Sequence, residues 1–324
     1  MLLFGGSLKV LFVGNTRIGD FILTSGLLRH IVKTYPQSRI TLAVGAPCLP
    51  LTSHIPNVDR IIPIQKRPWN LHWWDLWREV SGESWDLVID LRDSIISRAV
   101  SGKKIYRRLK PIGLHRVEEA ARVLGLAPSP APKIWISDEE RAYARTILPE
   151  GRTLLALGPG ANYAPKCWPA EDFGALAARL TGPAGALENA HVIVLGAPNE
   201  SALAASIGAA IPPQRFLDLT SRANLLQTAA ILEHCALFIG NDSGQMHLAA
   251  AMGARTLGLF GPTRADLYRP WGANCDCVCS ERPLDQLLEM EKSDRTNKLN
   301  LMGGLTVEKA VDAATGLMEG HSRA

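Results

Sequence analysis

One stretch of the sequence combines groups that bind phosphate with a group that binds hydroxyls. Residues 241–247 read NDSGQMH and follow the apolar run ALFIG at 236–240. This order predicts a buried strand, a tight polar turn and a helix that begins at the turn. Backbone N–H groups and the positive helix end then lie at the carboxyl edge of a sheet, where a phosphate can bind. Asp242 adds a carboxylate, which suits a ligand that also carries hydroxyls, such as a sugar nucleotide. The alternative is a helix cap formed by Asp242 or Ser243 with a buried His247.

A second loop combines small residues with a cation. Residues 158–169 read GPGANYAPKCWP and follow a strand-like run at 153–157. Small residues let the backbone approach a ligand closely. Lys166 supplies a point charge that suits a phosphate, just ahead of a helix that Pro169 can open. A surface loop rich in proline and glycine, with an incidental lysine, would show the same pattern.

A third loop ends in a carboxylate at the start of a helix. Residues 14–20 read GNTRIGD and follow the first strand-like run. They lack the G-x-G-x-x-G spacing of dinucleotide sites and the G-x-x-x-x-G-K-[ST] spacing of ATP loops. Asp20 follows Gly19 at the carboxyl end of a strand, which favours a working role over a simple helix N-cap.

A run of cations forms a further candidate binding patch. Within eight residues and with no acid among them lie Lys103, Lys104, Arg107, Arg108 and Lys110. Such a patch attracts phosphates or carboxylates, either on a substrate or on a membrane surface. A solvated loop between elements is the alternative interpretation.

Composition indicates a globular protein of two ordinary domains. The 324 residues are 47% hydrophobic and 20% charged, and the net charge of +4 does not by itself suggest nucleic acid. No run approaches the roughly 20 apolar residues of a membrane span, and the first residues lack the basic flank of a secretory signal. We therefore expect a cytoplasmic protein.

The six cysteines fit a reducing compartment. Three of them form a C-x-C-x-C run at Cys275, Cys277 and Cys279. Structural zinc sites use paired C-x2-C units or added histidines, and nothing nearby supplies a fourth ligand. The run is interpreted as reduced thiols in a loop rather than as a metal site.

The elements that must position these loops alternate between strand and helix, which is typical of parallel α/β sheets. A Trp-rich helix carrying Trp69, Trp73, Trp74 and Trp77 lies between two early strands, and the proline-rich segment 126–151 reads as a connection. We therefore predict domains at 1–150 and 151–324. The predicted strands are 8–14, 39–45, 60–64, 87–91, 153–157, 191–195, 237–240 and 255–260, and the predicted helices are 21–35, 170–180, 199–210, 224–233, 244–252 and 306–318.

Together, the three loops resemble glycosyltransferase family 9, the lipopolysaccharide heptosyltransferases. The stretch at 241–251, with GPT at 261–263, is similar to the family's N-D-[ST]-G-x-M-H-x-A-A-A and G-P-[TS] motifs. The stretch at 159–169 resembles P-G-A-x(4)-K-x-W-P, in a form closer to the heptosyltransferase II branch. The resemblance implies a GT-B fold, an α/β fold of two Rossmann-like domains facing a central cleft. It also allows the helix at 306–318 to pack back on the first domain.

The resemblance implies a reaction and a role for each site residue. A heptose passes from ADP-heptose to an acceptor in the lipopolysaccharide inner core, with inversion and with no metal or other cofactor. Asp20 would be the general base, with Lys166 the second catalytic residue. The implied donor-binding residues are Gly160, Ala161, Asn162, Lys166, Glu200, Asp242, Ser243, Gly244 and His247. The expected acceptor-binding residues are Gly19, Lys103, Lys104 and Arg107.

The implied partners are the donor, the acceptor and, transiently, the inner leaflet of the membrane, so peripheral association with the cytoplasmic face is compatible with the prediction. Two other functions remain open at this point. One is a GT-B transferase or epimerase that uses another nucleotide sugar, and the other is a non-catalytic protein of envelope assembly. A nicotinamide dehydrogenase is disfavoured by the missing glycine fingerprint.

Overall fold

The protein is described by a computed structural model that covers residues 7–293 and 299–320. It forms two compact units, Met1–Trp135 and Ile136–Ala324. The sequence places the corresponding boundary at residue 150. The difference arises from a helix at Asp138–Ile147, which begins at a capping box formed by Ser137 and Glu140 and packs within the second unit.

The first unit is a parallel sheet with the strand order β3-β2-β1-β4-β5. A cluster of buried apolar side chains from β1, β4 and helix α2 covers one face. The strands are β1 Lys9–Val13, β2 Arg39–Gly45, β3 Val58–Ile64, β4 Ser84–Asp90 and β5 Ser101–Arg107, and the helices are α1 Ile18–Thr34, α2 Leu71–Val80, α3 Ile96–Ala99 and α4 Arg116–Val123.

Two features of this unit differ from the sequence-based expectation. Part of the cationic run is not a loop, because Lys103, Lys104 and Arg107 lie on edge strand β5, paired along β4, whereas Arg108 and Lys110 follow that strand. Trp69 lies outside the Trp-rich helix, in a short turn where it and Asn70 adopt left-handed backbone angles. Its side chain is 93% exposed, whereas Trp73 and Trp77 pack against the core.

The second unit repeats the architecture with the strand order β11-β10-β9-β6-β7-β8, again all parallel. The strands are β6 Leu154–Gly158, β7 His191–Val194, β8 Phe216–Asp218, β9 Leu237–Asn241, β10 Thr256–Phe260 and β11 Cys275–Cys279. The helices are α5 Asp138–Ile147, α6 Ala170–Thr181, α7 Ser201–Gly208, α8 Leu225–Leu232, α9 Gly244–Ala251, α10 Ala265–Tyr268, α11 Leu284–Ser293 and α12 Val307–Met318.

The last helix and the cysteine run are both part of the second unit. Helix α12 packs on α6 and on strands β10 and β11. The predicted cysteine loop is instead edge strand β11, whose Val278 is buried in the core. Within residues 7–293 and 299–320, no helix has both the length and the apolar character that a membrane crossing requires.

The two sheets have the same kind of strand order. In each, the first strand lies inside the sheet, the next strands are added on one side of it, and the later strands are added on its other side. In such sheets the ligand crevice lies at the carboxyl ends of the two strands where the order reverses. These are β1 and β4 in the first unit, and β6 and β9 in the second. The predicted loops at 14–20, 158–169 and 241–247 follow β1, β6 and β9.

Candidate functional site

A buried amide joins the two loops at the switch point of the second unit. Asn241, the last residue of β9, is fully buried. Its Nδ2 donates to the Pro159 carbonyl oxygen at 2.6 Å, and its Oδ1 accepts from the Trp168 backbone N–H at 3.0 Å. Both contacts lie on the loop after β6. Asn241 therefore holds that loop against the end of β9, a role that the sequence motif did not reveal.

An ion pair lies across the same junction. Lys166 Nζ is 3.1 Å from Asp242 Oδ2, and the two side chains are only 14% and 10% exposed. His247 Nε2 lies 3.9 Å from the other Asp242 oxygen. The next residues, Ser243 and Gly244, are the N-cap and first residue of α9. The structure thus brings together predicted residues from two loops at the positive end of a helix.

Two buried hydroxyl groups follow neighbouring strands of the same sheet. Ser243 Oγ and Thr263 Oγ1 are both buried, and no residue in the described part of the chain forms a hydrogen bond with either. They follow the adjacent strands β9 and β10. Buried hydroxyls are normally satisfied, so each is suited to a ligand oxygen. The GPT motif contains Thr263, although the sequence alone does not indicate it as a site residue.

A second carboxylate lies between the loops that follow β6 and β7. Glu200 Oε2 accepts a hydrogen bond from the Ala197 backbone N–H at 2.8 Å. A Cβ atom added at Gly160 would lie 1.9 Å from Glu200 Oε1, and one at Gly196 would lie 2.6 Å from Oε2. Both glycines are therefore needed for this carboxylate to fit. The predicted residues Gly160 and Glu200 are in contact, while Ala161 and Asn162 continue the loop and Asn162 is exposed.

The loop that carries Lys166 is hydrogen-bonded to residues 300–305. The Leu301 backbone N–H donates to the Pro165 carbonyl oxygen at 2.8 Å, and the Trp168 indole N–H donates to the Leu305 carbonyl oxygen at 2.9 Å. Asn300 Nδ2 donates to the Cys167 carbonyl oxygen at 3.3 Å. Residues 300–305, the C-terminal clamp, therefore fix the position of Lys166.

In the first unit, Asp20 lies in the first turn of α1 without capping it. The helix begins at Ile18 with Arg17 in the N-cap position. Asn15 Nδ2 donates to the Asp20 backbone oxygen at 3.2 Å, which orients the turn. Within the described chain, no group donates a hydrogen bond to the Asp20 carboxylate. Burial, followed by the charge of Asp20, raises the pKa of Cys48 to about 12. Asp20 is thus a half-buried carboxylate just after the carboxyl end of β1.

The structure does not gather the expected acceptor-binding cations at one point. Lys103 Nζ is 2.7 Å from Asp86 Oδ1. Arg107 donates to the Ser97 carbonyl oxygen at 2.6 Å and to its hydroxyl at 3.1 Å. Lys104 is exposed on the opposite face of β5 from its two neighbours in the run, since side chains alternate along a strand. Gly19 lies beside Asp20 in α1.

Two of the three cysteines of β11, Cys277 and Cys279, interact as a pair of thiols. Within the ranges that the structure describes, no group of three His, Cys, Asp or Glu side chains could hold a metal ion. Cys277 and Cys279 share one face of the strand. A hydrogen bond from Cys277, aided by the nearby Lys309, lowers the pKa of Cys279 to about 7, whereas the pKa of Cys277 is raised.

Comparisons with known proteins agree with these features. The sequence profile of glycosyltransferase family 9 (heptosyltransferase) matches residues 103–299, more than half of the chain. Lipopolysaccharide heptosyltransferase 2 of Escherichia coli K12 is 25% identical over 302 residues, which cover 81% of this chain and 85% of that protein.

Two solved structures show the same fold. A family 9 glycosyl transferase from Veillonella parvula has a TM-score of 0.78 at 21% identity, covering 96% of this chain and 97% of that one. An E. coli heptosyltransferase solved with ADP-2-deoxy-2-fluoro heptose has a TM-score of 0.67 at 20% identity, covering 94% and 98%. The predicted GT-B fold is confirmed. With its profile match, this chain belongs to glycosyltransferase family 9 and is a glycosyltransferase.

Proposed function

We propose that this protein transfers a heptose from ADP-heptose to an acceptor in the lipopolysaccharide inner core, with inversion at the anomeric carbon. The observation that carries the proposal is the Lys166–Asp242 pair beside the start of α9. It provides a cation for a diphosphate and a carboxylate for sugar hydroxyls at one point. The heptosyltransferases among the relatives support the donor and the acceptor class.

The donor's phosphates are placed at the start of α9. In the proposed complex, Lys166 turns from Asp242 to the diphosphate, and Ser243 Oγ and the Gly244 backbone N–H donate to phosphate oxygens. Asp242, with His247 beside it, then accepts hydrogen bonds from hydroxyls of the sugar. Thr263 Oγ1, in the loop after strand β10, is a further hydrogen-bond partner for the donor.

The ribose is assigned to the neighbouring carboxylate. Glu200 accepts hydrogen bonds from the ribose hydroxyls, and the backbone of residues 160–162 approaches the nucleotide closely because Gly160 and Ala161 are small. Glu200 packs closely against Gly160 and Gly196, so a side chain at either position would displace its carboxylate.

Departure of ADP places negative charge on the leaving diphosphate and positive charge on the sugar ring. Lys166, the N–H groups at the start of α9 and the buried hydroxyls are positioned to meet the negative charge. Each such donor contributes on the order of 3 kcal/mol to the transition state, by analogy with oxyanion holes. The proposed mechanism therefore needs no metal.

Asp20 is the proposed general base, which removes the proton of the acceptor hydroxyl as that oxygen attacks the anomeric carbon. Its carboxylate has the required freedom from other hydrogen bonds within the described chain. Gly19 leaves space beside it for the acceptor. Of the three expected acceptor-binding cations, Lys104 is exposed and meets the acidic acceptor, whereas Lys103 and Arg107 would first have to leave their present partners.

The base is tested by the variant Asp20→Asn, which keeps the size of the side chain. Turnover should fall about 10²- to 10⁴-fold, the usual contribution of a general base, while calorimetry should show an unchanged Kd for ADP. Asp59→Asn is the matched control, since Asp59 pairs with Arg39 near the start of strand β3, at the opposite edge of the sheet. Near-normal turnover in Asp20→Asn would reject the assignment.

The donor is tested by nucleotide release from ADP-heptose, UDP-sugars and GDP-sugars with the same acceptor preparation. Release of ADP alone supports the proposal. Selective release of UDP or GDP would favour another transferase. Conversion of a sugar without an acceptor would indicate an epimerase, and inertness toward all donors would indicate a binding protein.

The site of action is proposed to be the cytoplasm, with peripheral contact at the inner face of the inner membrane. The support for this is the proposed acceptor, since the lipopolysaccharide core is built on a lipid anchor. We infer that the protein meets such an acceptor at the surface of the leaflet. Cell fractionation with and without a salt wash tests the contact.

A further inference from the structure

The connection between β5 and α4 exposes aliphatic side chains among cations. Residues 108–114, the docking loop, read RLKPIGL, and all seven residues are exposed. Leu109, Ile112 and Leu114 are 44%, 64% and 38% exposed. Aliphatic side chains scattered singly over a surface are ordinary, but three within six residues form a local apolar patch.

The exposure is fixed by contacts and does not come from a loose chain. Glu119 of α4 accepts hydrogen bonds from the backbone N–H groups of Ile112 at 2.7 Å and Leu114 at 3.2 Å. Arg122 bonds the other oxygen of Glu119 at 2.6 Å and reaches the Lys110 carbonyl oxygen at 3.4 Å. Burial alone would raise the pKa of Glu119, but these donors outweigh it and hold the pKa below its ordinary value. The docking loop is thus tied down by its backbone with its side chains facing outward.

The charge of the docking loop has one sign. Arg108 and Lys110 are exposed and flank Leu109, and residues 108–114 contain no acid. Lys104, on the strand just before, is also exposed. Cations interleaved with aliphatic side chains match the boundary between anionic headgroups and acyl chains.

We propose that the docking loop is the element that binds this protein to an anionic phospholipid surface. Leu109, Ile112 and Leu114 enter the acyl boundary, while Arg108 and Lys110 meet headgroup phosphates. A stable protein partner would require roughly 800 Å² on each side, far more than seven residues present, whereas a bilayer needs only a few inserted side chains. The inference rests on the proposed function for its purpose, since the proposed acceptor is membrane-anchored, but lipid binding is measured without any sugar nucleotide.

The test is co-flotation of the full chain with vesicles of phosphatidylethanolamine and phosphatidylglycerol, and with vesicles of phosphatidylcholine alone. The wild type should bind the anionic vesicles and not the neutral ones. Leu109→Ser/Ile112→Ser should lower the partition coefficient at least about tenfold, from the apolar area lost. Arg108→Gln/Lys110→Gln should lower it about 25-fold, at about fivefold for each cation near an anionic surface.

Matched controls carry the same changes at exposed positions elsewhere. Ile61→Ser/Leu288→Ser alters side chains that are 39% and 36% exposed, and Arg145→Gln/Arg152→Gln removes two exposed cations. Both should bind vesicles like the wild type, and every variant should keep its affinity for ADP.

Three results would overturn the inference. The first is a wild type that does not float with anionic vesicles, and the second is equal loss of binding in the docking-loop variants and the controls. The third is a docking-loop variant that changes the oligomeric state but not vesicle binding, which would assign the loop to a second copy of the chain. If heptose transfer is not observed, the vesicle-binding result can still be interpreted, because the flotation assay contains neither donor nor acceptor.

Discussion

Replacing Lys166 by methionine leaves the Asp242 carboxylate without its cation in a site that is largely buried. The two groups are 3.1 Å apart, and their side chains are 14% and 10% exposed. Breaking a fully buried pair costs about 3–5 kcal/mol and an exposed pair about 0–1 kcal/mol. We therefore expect Lys166→Met to lower the free energy of unfolding by about 2–3 kcal/mol, discounted for the remaining solvent access.

The double variant separates the pair from its surroundings. Asp242→Asn leaves the lysine uncompensated and should cost about 1–2 kcal/mol. When both charges are removed together, neither is left unpaired, so the combined cost should fall short of the sum by about 1.5 kcal/mol or more. Urea denaturation followed by circular dichroism measures all three values. Costs that add to within about 0.5 kcal/mol would refute the coupling, since independent sites add to that precision.

The same variants should move ADP affinity in opposite directions. Lys166→Met removes a charge-assisted contact worth about 1.5–3 kcal/mol and should weaken ADP binding more than tenfold. Asp242→Asn frees the lysine and removes a negative charge beside the diphosphate, so ADP should bind more tightly, by about fivefold for 1 kcal/mol. Calorimetry gives both constants. Weaker ADP binding in Asp242→Asn would show that the carboxylate binds ADP instead of competing with it.

Three further predictions concern the same unit. Asn241→Ala should lower the free energy of unfolding by about 3 kcal/mol, because it leaves two buried backbone groups unpaired; a change below about 0.5 kcal/mol in urea denaturation would contradict this role. Gly160→Ala should displace the Glu200 carboxylate and weaken ADP binding in calorimetry with little loss of stability, and unchanged affinity would reject the ribose assignment. The rate at which iodoacetamide alkylates Cys279 should increase between about pH 6 and pH 8, because the lowered pKa of this thiol, about 7, makes half of it thiolate at that pH. In the same samples, mass spectrometry should find the buried Cys235 unmodified, because its pKa is raised to about 12.

Sequence patterns predicted most of the two sheets, because central parallel strands are buried on both faces and read as continuous apolar runs. The prediction for β2, residues 39–45, agrees with the structure in both bounds. Edge strands were harder to find. Strand β5 is rich in lysine and arginine because one side of it faces solvent. In β11 the alternation of apolar and polar residues is not recognisable, because the more exposed face of the strand carries cysteines. The three-residue strand β8 is too short for any periodicity.

For the candidate site, loops at the carboxyl ends of strands could be predicted, but not the contacts between them. Lys166 and Asp242 meet across 76 residues, and nothing local in the sequence indicates that pairing. Asn241 did leave a signal, since an amide that ends a buried strand must find partners on a neighbouring segment. Thr263 left a weaker signal, because it lies in the loop that follows strand β10. The assigned catalytic and binding roles remain predictions for the experiments above.

The C-terminal clamp has a consequence for how this protein matures in the cell. The loop that carries Lys166 gains its support from Leu301 and Leu305, more than 130 residues later in the chain. A nascent chain on the ribosome can form the first unit and most of the second sheet before that support has been synthesised. A chain on a ribosome stalled short of residue 300 therefore lacks the partners of Pro165 and Trp168, and the loop between them reaches its final conformation only after those later residues have emerged.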